Sequence, residues 1–329
     1  MTHVLVIGGG QNAEHDVSKA SAASIVEALR GSGHHVTAIT IGRDGLWHDE
    51  HTVLGASPAT SLAAAVALLD DADVVFPAVH GPLGEDGTLA ALCALAGRPV
   101  VGSGLRAGSI GMDKWATKLV AQELGILTAP GHLVHSAGID TALDHLVVGA
   151  GVVVKPVAAG SSYGVSMVHD PEQLEGALRT AARYDDRILV EDVVRGREVD
   201  VAVLREAGRC WAPPPLEIHS DGLFDTATKY DGSARFTVPA GLERADRTIL
   251  VDAALRMFDA LGCAGVARMD FFWTDQGPVL NEVNTMPGMT VESQVPKMCA
   301  AAGVPYEDLI ARLVASAEPV MQGAPILET

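Results

Sequence analysis

Apolar positions along this chain fall in short blocks separated by glycine-rich turns. The stretch HVLVIGGG near the start reads as a short buried strand running into a turn. In DVSKASAASIVEALRGSG, Val17, Ala20, Ala22, Ala23, Ile25, Val26 and Leu29 recur at helical spacing, and Gly31 closes the run. HHVTAITIG is a second strand and ADVVFPAVHG a third, with the alanine-rich SLAAAVALLD between them. Strands alternating with helices imply parallel pairing through helical crossovers. TLAALCALAG and PVVGSG complete a first, Rossmann-like α/β domain over residues 1–102.

The pattern then changes. MDKWATKLVAQELGIL is a helix, whereas GVVVKPVAAGSSYGVSMVH is strand, glycine-serine turn and strand, which predicts an antiparallel pair. RILVEDVVRGREVDVAVL is strand-like on both sides of a turn at Gly196. Residues 210–245 are irregular and rich in Pro and Gly, as expected of a long functional loop with strand fragments. TILVDAALRMFDALGC is a helix, and VARMDFFWTDQGPVLNEVNTMPG a hairpin with many polar positions. The expected organisation is a mixed α/β (α+β) chain of three domains: 1–102, a central subdomain 103–192 and a C-terminal subdomain 193–329.

Composition narrows the partners. No apolar run reaches the ~20 residues of a membrane helix, and the N-terminus lacks a basic segment before its apolar run. Cys93, Cys210, Cys263 and Cys299 are scattered without a CxxC pair, so neither a disulfide framework nor a zinc site is expected. A soluble protein in the reducing cytoplasm is the expectation. The net charge of −18 disfavours nucleic acid as a partner. A phosphorylated ligand would need local lysines or arginines and a metal ion.

Gly8-x-Gly10-x-x-Ala13 satisfies a loose dinucleotide fingerprint. The acidic residue expected ~20 positions later is missing; position 33 is glycine, and Asp44 comes beyond Gly42. Glu14 and Asp16 occupy the place where a pyrophosphate would meet the helix N-terminus, and would repel it. Two readings remain from the residues alone. The glycines merely turn the chain while Glu14 favours the helix dipole, or the turn presents Glu14 to an ammonium group at the end of parallel strands.

The chemistry-bearing stretch is ARMDFFWTDQGPVLNEVNTMPGMTVES. Asp270 and Glu282 fall on opposite arms of the hairpin, and alternation puts Asn284 on the face of Glu282. Oxygen donors with room for phosphates suit Mg²⁺; the competing reading is the polar face of a surface hairpin. Phe271, Phe272, Val279 and Leu280 argue for a buried hairpin, where unpartnered carboxylates are costly. Lys155 ends an apolar strand, an expensive place for an amine unless an anion meets it. GSSYG supplies N–H groups and hydroxyls for phosphate oxygens, although such a loop can be only a turn. Glu191 and Glu198, taken alone, read as surface residues.

GGGQNAEHDVS, HGPLGEDGT, GSGLRAGSIGMDK, VVKPVAAGSSYGVS, ILVEDVVRGRE, ATKY, RMDFF and LNEVNTMPGMTVES occur in an order that closely resembles D-alanine–D-alanine ligases of the ATP-grasp superfamily. The resemblance runs from about residue 4 to residue 310. It implies an ATP-grasp fold behind the Rossmann-like domain, and ATP-dependent joining of two D-alanines through an acyl phosphate for peptidoglycan precursor synthesis. It further implies that Lys114 and Lys155 hold ATP phosphates, that Glu191, Val194 and Glu198 contact adenine and ribose, and that Lys229 approaches the γ-phosphate. Asp270, Glu282 and Asn284 would bind two Mg²⁺ ions, with Mn²⁺ as an alternative. Glu14 would take the ammonium of the first D-alanine, linked through Ser161 and Tyr230 to the closed loop. Arg268 and the backbone N–H of Gly288 would stabilise the oxyanion, and His80, Ser293 and Gln294 would meet the second substrate. The resemblance also implies a homodimer. Gln11, Tyr163, Thr226 and Gln294 depart from the family pattern, and Gln294 could admit a different second substrate. The alternatives are a ligase of the same mechanism joining other amino or hydroxy acids, and a non-catalytic homologue that binds ATP or amino acid.

Overall fold

The computed structural model describes residues 1–219 and 235–317. Lys229, Tyr230 and Thr226 lie outside the described residues.

β1 (His3–Gly9), β2 (His35–Ile41) and β4 (Val74–Pro77) pair in parallel, with the short β3 (Trp47–His48) antiparallel on the edge, in the order β3-β2-β1-β4. Residues Val4 to Ile7 of β1 are fully buried because both sheet faces are covered. Alternation divides them. Leu5 and Ile7 pack with Ile39, Trp47, Leu69 and Val75, under α2 (Pro58–Asp70), whose start is fixed by a Ser57–Thr60 capping box. Val4 and Val6 face Ile25 and Leu29 of α1 (His15–Gly31) and join a core that continues into Met289, Met298, Leu309 and Leu313 near the C-terminal end. The first sheet therefore shares its core with the end of the described chain.

α3 (Thr88–Leu95), α4 (Leu105–Met112) and α5 (Lys114–Glu123) follow. Asp113 caps α5 by accepting from the Ala116 N–H at 2.8 Å, and so places Lys114 in the first turn. β5 is Leu127–Thr128. A four-stranded antiparallel sheet comes next, ordered β6-β9-β7-β8, from β6 (Gly131–His135), β7 (Val152–Pro156), β8 (Ser166–Val168) and β9 (Arg187–Asp192). α6 (Ile139–Leu143) and α7 (Leu174–Ala181) cover its outer face with a core of their own.

β9 and β10 (Arg197–Glu206) do not form a hairpin about Gly196; they belong to different sheets, and residues 193–196 carry the chain across. The third sheet is ordered β13-β12-β10-β14-β15-β5, with β11 (Arg209–Trp211) also on β10. Its other members are β12 (Leu216–His219), β13 (Arg235–Thr237), β14 (Val266–Thr274) and β15 (Gly277–Asn284). One face, with Val199, Val201, Val203, Met269 and Phe271, packs on α8 (Arg244–Leu261). α9 (Gln294–Ala301) and α10 (Tyr306–Ala315) close the described chain.

Candidate active site

A cleft of about 780 Å³ opens between the central sheet and the face of the third sheet opposite α8, large enough for a nucleotide. Alternation builds its floor. In β10 the valines face α8, so the intervening Asp200 and Glu198 face the cleft. Strand register then sets Asp200 opposite Asp270, and Asp270 opposite Glu282, a row of three carboxylates across three strands. The next row is Ala202, Arg268 and Asn284. A bulge follows Asp270, and Asn281 is the extra residue of β15.

Arg268 compensates this row. Its Nε and a terminal nitrogen donate to the two Asp270 oxygens at 2.6 and 2.7 Å, and Asp200 lies 3.4 Å away. Burial disfavours the guanidinium charge, but Asp270, Asp200 and Glu282 together raise its pKa further above the ordinary arginine range. Asn284 donates through Nδ2 to Asp270 at 2.9 Å, which leaves its carbonyl oxygen as a metal donor. Glu282 stands 3.4 Å from the Lys114 ammonium. Among the described residues, no group of three or more His, Cys, Asp or Glu side chains could hold a metal unaided. The donors of Asp270, Glu282 and Asn284 are all oxygens, and that chemistry fits a hard cation such as Mg²⁺, with phosphate and water as its other ligands.

Lys114 and Lys155 reach the cleft from α5 and β7. Lys114 donates to the Ala159 carbonyl at 2.7 Å, and Lys155 to Asn281 Oδ1 at 3.3 Å. Glu191 is buried between Lys155, at 2.5 Å, and Lys118. Burial alone would raise the Glu191 pKa, yet the ammonium groups of Lys155 and Lys118 pull it below the ordinary carboxylate value. Neither Glu191 nor Lys118 is a surface residue. Val194 and Glu198 line the same cleft beyond the crossing segment.

The glycine-serine segment forms the edge of the cleft. Ser161 and Ser162 adopt φ of +47° and +59°, a strained choice for non-glycine residues. The Asp185 carboxylate accepts from the Ala158 N–H at 2.7 Å, and Tyr163 packs on Tyr184 with ring centroids 6.2 Å apart. Ser161 Oγ donates to the Glu14 carboxylate.

Glu14 is held from several directions. Gly9, the last residue of β1, has φ +83°, and a Cβ there would stand 2.2 Å from the Ile41 carbonyl. Asn12 accepts from the Glu14 N–H at 2.9 Å and donates to the carbonyls of His80 and Pro82. Glu14 precedes α1 without a side-chain capping bond. Its carboxylate instead lies where a Cβ on Gly81 or Gly160 would meet it, at 2.4 and 2.3 Å. The turn thus presents a carboxylate between two loops from different parts of the chain.

His80 is 4% exposed and both ring nitrogens are engaged. Nδ1 donates to the Met286 carbonyl at 2.9 Å, and Nε2 meets Ser21 Oγ, also at 2.9 Å. Burial lowers its pKa, but Glu85 and Glu14 outweigh that and raise it. Ser21 Oγ accepts from the Met289 N–H at 3.2 Å, so the pair holds the turn containing Gly288. Ser293 lies across that turn; its Oγ accepts from the Thr290 N–H at 3.1 Å and faces Gly288. Gln294 is the first residue of α9 and lines the cleft. Gln11 lies over Gly45, on the turn between β2 and β3.

Sequence reasoning missed Lys118, Asp200 and Asn281. Lys118 had a signal, since it lies one helical turn from Lys114 on the same face. Asp200 was visible as the polar break between valines in REVDVAVL. Asn281 depends on the bulge and had none.

A nucleotide-sized cleft between two sheets, lysines on one side and a carboxylate row on the other, behind a parallel α/β unit, is the ATP-grasp arrangement with an N-terminal domain. Residues 3–103 match the family described as D-ala D-ala ligase N-terminus, and residues 123–315 match D-ala D-ala ligase C-terminus. The chain belongs to the D-alanine–D-alanine ligase family. It is 39% identical to the D-alanine–D-alanine ligase of Mycolicibacterium smegmatis, over 96% of this chain and 95% of that protein. Against the ligase of Corynebacterium urealyticum it is 37% identical over 95% and 97%. Among solved structures it is similar to the VanG D-Ala:D-Ser ligase from Enterococcus faecalis, with TM-score 0.82, 29% identity, and coverage of 96% and 99%. It is also similar to the D-alanine-D-alanine ligase from Coxiella burnetii, with TM-score 0.77, 30% identity, and coverage of 96% and 95%.

Proposed function

We propose that this chain joins two D-alanines to D-alanyl-D-alanine at the expense of ATP, releasing ADP and phosphate, for peptidoglycan precursor synthesis. The observation that carries this reading is Glu14. A buried carboxylate, set between Gly81 and Gly160 and tied to Ser161, sits beside a lysine-bearing nucleotide cleft. That is where an amino acid's ammonium would be fixed while its carboxylate faces a phosphate.

In the first step the carboxylate oxygen of the first D-alanine bonds to the γ-phosphorus and the bond to ADP breaks. Lys114 and Lys155 neutralise the phosphates, with Lys229 from the loop. Glu191, Val194 and Glu198 hold adenine and ribose. Asp270, Glu282 and Asn284 would hold two Mg²⁺ ions, which when bound would supply charge neutralisation at the phosphates. In the second step the amine of the second D-alanine attacks the acyl carbon, phosphate leaves, and the amine's proton is lost to solvent or phosphate. Arg268 has five N–H donors, so it can serve the oxyanion together with the Gly288 N–H while retaining Asp270. Ser161 and Tyr230 would link Glu14 to the loop that the family resemblance expects to close, and its closure would keep water from the acyl phosphate. Ser293 and Gln294 meet the second substrate; His80 contributes by fixing the Met286–Met289 turn. The reading includes three domains with the bounds 1–102, 103–192 and 193–329, a homodimer, and action in the cytoplasm.

The test is phosphate release with Mg-ATP across D-alanine, L-alanine, D-serine and D-alanine plus D-lactate, with product masses. Release with D-alanine alone and the mass of its dipeptide is the expected result. Release only with another pair would keep the ATP chemistry and displace the substrate assignment. No release with any of them would overturn the reading.

A further inference from the structure

Three charged side chains meet in the wall of the nucleotide cleft almost out of reach of water: Lys118 is 3% exposed, Lys155 6% and Glu191 5%. Glu191 gives one oxygen to each lysine. Lys118 holds Oε1, and Lys155 lies 2.5 Å from Oε2. A carboxylate at this depth is costly without a cation beside it.

The two lysines are not equivalent. Lys118 is anchored a second time, donating to the Ala129 carbonyl at 2.5 Å, and it does not border the cleft. Lys155 does border it, and its other contact is the longer one to Asn281, at 3.3 Å. One lysine is built into the wall, and the other faces whatever enters.

We propose that Lys118 is a positioning residue that retains the Glu191 charge so that Lys155 can turn from Glu191 to the phosphates of the nucleotide. This rests on the reading of Lys155 as a phosphate-binding lysine. With Lys118 in place, movement of Lys155 leaves Glu191 still paired. Without it, Lys155 is the sole counterion of a buried carboxylate, and each contact it makes to phosphate strands that charge. Loss of Lys118 therefore acts on phosphate recognition, although Lys118 itself touches no phosphate. Adenosine, which asks nothing of Lys155's charge, is left alone.

The experiment compares ATP and adenosine binding by calorimetry in the full chain, in Lys118→Met and in Lys118→Met/Glu191→Gln, with thermal unfolding of each. The expected result is an ATP affinity at least about tenfold weaker in Lys118→Met, with adenosine within about twofold, since a lost charged contact is worth ~1.5–3 kcal/mol. The double variant removes the competing carboxylate and restores the preference for ATP over adenosine. An unchanged ATP affinity in Lys118→Met overturns the role of Lys118 while the ATP reading stands. Equal losses for ATP and adenosine with a lowered melting temperature show a wall residue only, and overturn it too, as does a double variant that does not recover the preference. A wild-type chain that binds no ATP overturns the nucleotide reading itself, and this inference with it.

Discussion

Glu14 and Glu282 are both carboxylates near the cleft, but their surroundings assign them different tasks. Glu14 is fixed by backbone geometry: the Gly9 turn, the Asn12 bracket and the close approach of Gly81 and Gly160. It has no place to move, so it suits recognition of a fixed ammonium. Glu14→Gln removes one charge from that contact and should raise the Michaelis constant for D-alanine by about ten- to a hundredfold, the worth of a charged hydrogen bond. Steady-state kinetics with D-alanine varied checks this, and an unchanged constant would reject the ammonium assignment. Glu282 instead stands in a row with Asp200 and Asp270, facing Lys114 across the cleft. Its charge acts on the phosphates, so Glu282→Gln should lower kcat by at least about a hundredfold, as removal of preorganised electrostatic groups does. A near-normal turnover number would remove Glu282 from the metal site. Glu191 adds a pH expectation at this scale. Its folded pKa lies below its ordinary 4.5, so its stabilisation is complete above that value. It is lost as pH falls below 4.5 and through the lowered folded value.

At the scale of elements, the glycine-serine segment is the part whose position the fold must enforce. Two serines in the left-handed region would relax without support. The support comes from the turn after α7, where Asp185 takes the Ala158 N–H and Tyr184 packs on Tyr163. Tyr184 is 52% exposed, so Tyr184→Ala should leave the fold intact. It should raise the Michaelis constant for ATP about two- to tenfold, the worth of an aromatic pair, with Tyr184→Phe close to wild type. An unaltered constant in the alanine variant would mean that the segment holds itself. The same segment shows how legibility varied. The β1 turn and the β14–β15 hairpin could be read because their apolar periods and polar positions agree with the final register. Helix α4 could not, since Gly108 and Gly111 argue against a helix. The structure needs both: a Cβ at Gly108 would stand 2.6 Å from the Gly87 nitrogen, and one at Gly111 2.8 Å from Thr285. Tertiary packing there overrides local preference. The separation of β9 and β10 into two sheets was equally hidden, because each is a good strand and nothing local names its neighbour. For the same reason Glu191, at a strand end, read as a surface residue until β7 and α5 closed over it.

Across the whole molecule, the cores are unequally shared. The first sheet and the C-terminal helices α9 and α10 have one core in common, whereas the apolar core of the central sheet is made with α6 and α7, and its other face meets α5 through the buried Glu191–Lys118 pair. The central unit meets the third sheet across the cleft, through polar contacts such as Lys155 with Asn281. Contacts of that kind are weak beside apolar burial, so the central sheet should open without unfolding the rest. A ligand that bridges the cleft opposes this opening by mass action, by about 2.7 kcal/mol at a hundred times its dissociation constant. Hydrogen exchange with and without Mg-ATP tests the arrangement. Amides of β7 and β9 should slow by about a hundredfold at that concentration, while those of β1, which lie in the shared core, should change little. Equal slowing in β1 and β9 would mean that the chain opens as one unit. No slowing in β7 and β9, under conditions where ATP is bound, would mean that the nucleotide does not bridge the two sheets.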